Sequence, residues 1–239
     1  MPRMIHKIQQ SGLLVEEAVY PDPSGRGRPE IRAKKKRVSS SAQQRFNVKT
    51  SRQELERQLW ANYSPGRDIF GTLTYGDRKY PKSLKQIDDQ CGYFRRRLNA
   101  ARAKKKLPPV VMHWAVEHLT GGGRWHIHFV MKARGSSYKE IRSKWIYGEV
   151  ADLERLGNTK NRNMSLVAAY MSKERADVHS KHVWHHTRNI AAPTVERYRV
   201  KDVTELTIPP GVKVLEDVTE RTEYGFYRYV KYVLPETAD

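Results

Sequence analysis

The sequence predicts an α+β fold of the ferredoxin-like kind, βαββαβ, and three observations predict it. A strand-like string closes at Gly76-Asp77, a long amphipathic helix follows, and a glycine-linked pair of strands leads into a second, shorter helix and strand. In that plan the first and third strands are neighbours at the centre of an antiparallel sheet. The helices cover one face and leave the other open.

Each element carries its own signal. From Asp68 to Tyr75 the run Ile69, Phe70, Thr72, Leu73, Thr74, Tyr75 has strand composition. Leu84, Ile87, Cys91, Phe94, Leu98 and Ala101 recur at spacings of three and four, an apolar stripe along a helix over 82 to 106. Pro108-Pro109 ends it. Strands at 110 to 119 and 125 to 132 flank Gly121-Gly122-Gly123, where positive φ costs little, so they form a hairpin. A helical segment over 138 to 146, a strand over 149 to 154 and a helix over 162 to 175 complete the set, the last with Met164, Val167, Ala168 and Met171 on one face. Upstream, Ser51 and Glu54 have capping-box spacing and open a helix through Leu55, Leu59 and Trp60 that ends near Asn62.

Three regions follow. Residues 1 to 47, with Pro21-Asp22-Pro23-Ser24-Gly25 and Lys34-Lys35-Lys36-Arg37, read as a basic, loosely held arm. Residues 48 to 175 form the main domain. Residues 176 to 239 form a C-terminal extension with strand-like runs at 212 to 219 and 224 to 234.

Lys and Arg total 45 against 26 Asp and Glu, and the formal charge of +19 points to a polyanionic partner, nucleic acid above all. The single cysteine, Cys91, excludes an intrachain disulfide and a thiolate zinc cluster and fits a reducing compartment. No apolar run reaches membrane-spanning length and the first thirty residues carry no signal-peptide pattern, so a soluble, cytoplasmic protein with no membrane partner is expected. No Gly-x-x-x-x-Gly-Lys-Ser/Thr stretch marks a nucleotide-hydrolysing helicase module.

In Trp125-His126-Ile127-His128-Phe129 the period of two sends both histidines to one face and the three large apolar side chains to the other. Two imidazoles two residues apart can grip one metal ion on the open face. Across the hairpin, a two-residue turn sets Glu117 opposite His126, whereas a three-residue turn sets His118 there. Met112, Trp114 and Val116 make the even positions apolar and favour Glu117. Two imidazoles and a carboxylate leave coordination sites for water or a substrate oxygen. On the last helix Lys173 stands one turn beyond Tyr170, close enough to bring an ammonium near the phenol or a bound phosphate.

The ordered set Phe70-Gly71-Thr72-Leu73-Thr74-Tyr75, His126-Ile127-His128 and Tyr170-Met171-Ser172-Lys173 resembles the three motifs of HUH-family rolling-circle replication initiators. The resemblance covers roughly 50 to 195 and extends to Trp145-Ile146-Tyr147-Gly148 and to Thr187-Arg188-Asn189-Ile190 with Pro193, which look like phage and plasmid Rep proteins of the filamentous-phage type. Relaxases of the same superfamily carry the tyrosine before the histidine pair, the reverse of the order here.

The resemblance implies a metal-dependent, sequence-specific single-stranded DNA endonuclease and strand transferase at a replication origin. His126, His128 and Glu117 would hold Mg²⁺ or Mn²⁺, and Tyr170 would be the nucleophile, leaving a 5′-phosphotyrosine and a free 3′-hydroxyl that primes synthesis. Lys173 would steady developing negative charge. Host enzymes, a helicase and a polymerase, would unwind and copy. Many relatives carry a second tyrosine four residues after the first. Here Glu174 stands there, and either it activates water in termination or a second protomer's tyrosine completes the cycle. Thr72, Thr74, Arg95, Arg96, Lys34, Lys35 and Arg188 are the expected DNA contacts, with binding that weakens as salt rises.

Two other readings stay open. A non-catalytic basic module could bind nucleic acid on the open sheet face, as RNA-recognition folds do. A tyrosine transposase of the same superfamily shares the histidine pair but usually lacks a C-terminal extension. His179, His182, His185 and His186 invite a zinc site, but without cysteines and with Trp184 and Arg188 interleaved a basic DNA-contacting surface is simpler. Tyr224, Phe226, Tyr227, Tyr229 and Tyr232 fit a core strand better than a base-stacking platform.

Overall fold

The structure, a computed structural model, describes residues 3–22, 41–118, 124–157, 164–172, 184–200, 206–222 and 225–236. In chain order the elements are β1 (Met4–Ser11), β2 (Leu14–Pro21), α1 (Ser41–Asn62), β3 (Ile69–Leu73), α2 (Leu84–Lys104), β4 (Met112–His118), β5 (Trp125–Met131), α3 (Tyr138–Lys144), β6 (Val150–Arg155), α4 (Met164–Met171), β7 (His185–His186), β8 (Thr194–Val200), β9 (Lys213–Thr222) and β10 (Gly225–Val233). The fold is α+β, with two antiparallel five-stranded sheets. The chain divides into two compact units, Phe46–Ala191 and a second made of Met1–Arg45 with Ala192–Asp239.

In the first unit the strand order is β6-β3-β5-β4-β7. The first four are the split βαβ arrangement, with β3 central between β5 and β6 and the Thr72 strand beside the His128 strand as expected. On one face α2 and α3 pack over Leu73, Trp114, Ile127, Phe129 and Met131. Phe94 of α2 anchors this layer, meeting Phe129 and Trp145 edge-on at centroid distances of 6.0 and 5.7 Å. Burial of each such side chain contributes about 1.5–3 kcal/mol. Ser83 caps α2 by accepting from the Gln86 N–H, the orphan donor that every helix start must satisfy.

The opposite face is not open, a correction to the expected one-sided arrangement. Leu55, Leu59 and Tyr63 from α1 and its end, with Met164, Val167, Ala168 and Met171 of α4, cover Phe70, Ala115 and Val130. The period-two pattern marks which side chains share a face but not which other segment lies on it. Helix α1 begins at Ser41, not at the expected Ser51, and holds Ser51 and Glu54 in its interior. Residues 41 to 62 contain no glycine or proline to halt a helix. Ser51 instead accepts from the indole N–H of Trp184 at 3.1 Å.

The second unit has strand order β8-β1-β2-β10-β9. Residues 4–21 are therefore not a loose arm. They form the hairpin β1–β2, which pairs with β8 on one side and β10 on the other. Val15, Val230 and Tyr232 form its small core. Glu16 and Glu17 point to opposite faces, and each accepts from a tyrosine of β10, Tyr229 at 2.8 Å and Tyr232 at 2.6 Å. Tyr232 is thus a core residue, as the aromatic run suggested. The run Lys34 to Arg37, including the expected contacts Lys34 and Lys35, lies outside the described residues.

Candidate functional site

β4 and β5 bring together the residues that their alternation selects. Glu117 stands opposite His126 and Ala115 opposite His128. The Glu117 carboxylate reaches diagonally across the ladder, and its Oε2 accepts from Nε2 of His128 at 2.5 Å. On the other side of β5, Thr72 of β3 faces His128, with Oγ1 and Nδ1 3.1 Å apart. His128 is 3% exposed, and both ring nitrogens have partners. Burial pushes this imidazole down from its ordinary range, with Glu117 partly opposing, so the neutral ring is favoured.

Tyr170, on the last turn of α4, comes to the same histidine. Its ring lies 4.7 Å from that of His128, edge to face, and 6.1 Å from Phe70, which stacks on His128 at an interplanar angle of 8°. Tyr170 is 44% exposed, open enough to meet a polymer. Partial burial, then the carboxylates of Glu117 and Asp152, raise its pKa above the usual phenol value. The hydroxyl rests protonated and needs positive charge nearby to become a nucleophile.

The donor types, two imidazoles and a carboxylate, suit a divalent cation, and His126, His128 and Glu117 stand on adjacent strands. Among the described residues, however, no group of three or more His, Cys, Asp or Glu is disposed to hold an ion. Glu117 and His128 engage one another instead. His128 can offer Nε2 to an ion only as the tautomer with its proton on Nδ1, where Thr72 Oγ1 can accept it.

Other expected site residues divide. Thr74 lies beyond the end of β3, and its hydroxyl donates to the carbonyl of Glu149. Arg95 and Arg96 sit on α2, which packs against the sheet face opposite His128; Arg95 lies over Trp114, and Arg96 over Tyr93. Arg95 and Arg188 share one cleft at the β7 edge. Lys173, Glu174, His179 and His182 lie outside the described residues.

Two partners of the site carry no signal in the local sequence. Asp152 on β6 pairs with Thr72 and acts on both His128 and Tyr170, a placement that only the β3–β6 pairing brings about. His113, at an expected open-face position, is fully buried. Its Nδ1 accepts from Tyr63 Oη at 2.8 Å and its Nε2 donates to Gln58 Oε1 at 2.9 Å, which ties α1 to β4. Burial, then the neighbouring His186, hold its pKa down to about 3.

No helix among the described residues is long and apolar enough to cross a membrane. No curated protein and no solved structure matches the chain. Residues 68–175, which span β3 through α4 and contain Thr72, Glu117, His126, His128 and Tyr170, match the family model of the replication-associated protein ORF2/G2P.

Proposed function

We propose that the chain initiates rolling-circle replication as an HUH nickase, cutting and transferring single-stranded DNA through a 5′-phosphotyrosine on Tyr170. The observation that supports this most is the meeting of Tyr170 with His128, itself held by Glu117 and Thr72. Tyr170 Oη attacks the scissile phosphorus and gives up its proton. The bond from phosphorus to the 3′ oxygen breaks, and that oxygen leaves as a 3′-hydroxyl after taking a proton. One phosphodiester replaces another, so rejoining needs no nucleotide cofactor.

His126, His128 and Glu117 would hold the cation, Mg²⁺ or Mn²⁺. When bound, it would supply positive charge beside Tyr170, whose pKa is raised by partial burial and by Glu117 and Asp152. Phe70 and His128 hold the phenol ring in place. Thr72 fixes the orientation of His128. Lys173, three residues after Tyr170 in the sequence, would meet charge on the phosphate. Glu174 would serve termination, either by activating water or in concert with a second protomer's tyrosine. Host helicase and polymerase would act on the primed strand.

The experiment is covalent capture. Wild-type protein with a random pool of labelled single-stranded DNA and Mn²⁺ or Mg²⁺ yields a protein–DNA band on denaturing gels, and Tyr170→Phe does not. A protein that binds the pool without forming that band under any divalent ion is a binding module instead.

A further inference from the structure

A cleft of roughly 700 Å³ in the unit Phe46–Ala191 opens where β3 begins and where β5 and β6 end. Four exposed cations line it: Arg67, Lys132, Arg134 and Arg155. Its carboxylate, Asp68, is buried and already committed, with Oδ2 accepting from the Ser64 N–H and Oδ1 from the Ala133 N–H, both at 2.9 Å. Among the described residues none of the four cations is paired with a carboxylate. Gathering unpaired like charges in one concavity is unfavourable alone and strongly favourable around a polyanion.

The cleft is also in register with the candidate site. The pairs Ile69–Met131 and Ile69–Arg155 lie three residues along β3 from the pair Thr72–His128, a span of about 10 Å at strand rise. A chain with one phosphate at Tyr170 therefore reaches the cleft within a short length.

We infer that the cleft lined by Arg67, Lys132, Arg134 and Arg155 is a second binding site, which grips successive backbone phosphates of the single-stranded DNA flanking the scissile position. It rests on the function proposed above for its choice of ligand. The lining offers charge and little aromatic surface beyond the half-buried Tyr138, so the contact anchors the strand and does not read its sequence.

The test is binding of the full chain to a labelled oligothymidylate of about twenty nucleotides, followed by anisotropy across a salt series. For the variant Arg67→Ala/Lys132→Ala/Arg134→Ala/Arg155→Ala the slope of log K against log salt falls by about 2 to 3, and affinity near 0.1 M salt falls roughly tenfold or more. Removing four exposed charges elsewhere, Lys82→Ala/Lys85→Ala/Lys139→Ala/Arg142→Ala, leaves slope and affinity near wild type. Should the fourfold cleft variant fail to fold, Arg67→Gln/Arg155→Gln and Lys132→Gln/Arg134→Gln each show part of the loss. An unchanged slope overturns the inference, as does an equal loss in the control variant or a cleft-dependent preference for duplex DNA or for oligouridylate. Binding is read without any covalent step, so the absence of an adduct would leave this result standing. An unchanged slope would likewise leave an adduct standing.

Discussion

Thr72 and His128 face one another across the centre of the sheet, hydroxyl oxygen to ring nitrogen at 3.1 Å, on strands separated in sequence by the long helix α2 and the strand β4. The hydroxyl can donate to Nδ1 or accept from it, so it supports His128 both bonded to Glu117 and turned to a cation. Thr72→Val keeps the branched shape and removes only that choice. Nicking falls about 10- to 100-fold, with the melting temperature nearly unchanged and activity recovered in Thr72→Ser. A Thr72→Val protein that nicks at the wild-type rate would show the contact to be idle.

Divalent ions should be required. Chelation stops adduct formation and Mn²⁺ restores it, while Glu117→Gln weakens Mn²⁺ binding at least tenfold by titration calorimetry. Nicking that persists in excess chelator would remove the cation from the account.

Gly148 is a packing requirement of the loop before β6. A Cβ there would lie 2.2 Å from the Thr74 carbonyl oxygen and 2.7 Å from the Gly76 nitrogen, backbone atoms that cannot turn aside. Gly148→Ala should cost about 1–3 kcal/mol, seen as a melting temperature lower by several degrees. A variant that melts with the wild type would mean that the loop relaxes freely.

His113 makes stability depend on pH. Its folded pKa is depressed to about 3 from 6.5, so the unfolded chain takes up the proton first. Its contribution is complete above 6.5 and is lost as pH falls toward 3, by about 1.4 kcal/mol per unit for the one proton. Denaturant titrations across that range test this. His113→Gln should be less stable at neutral pH and show a shallower acid slope, and a slope identical to wild type would assign the effect to other groups.

What could be read from the sequence was whatever alternation and local spacing encode. The His126-His128 face, Glu117 opposite His126, the neighbouring of β3 and β5, and the α2 stripe all follow from periods of two or of three and four. What could not be read depends on contacts far apart in the chain. Residues 4–21 look like part of a tail because their sheet partners, β8 and β10, lie near the other end of the sequence. Asp152 joins the site only through the β3–β6 pairing, and the diagonal reach of Glu117 to His128 is a side-chain choice that pairing register leaves open.

The most direct measurement is mass spectrometry of the protein digested after reaction with single-stranded DNA and Mn²⁺. Covalent attack by Tyr170 leaves a nucleotide attached through its 5′ phosphate to the tryptic peptide containing Tyr170, at that tyrosine. Attachment to any other residue, or cleaved DNA with Tyr170 unmodified throughout the time course, would contradict it.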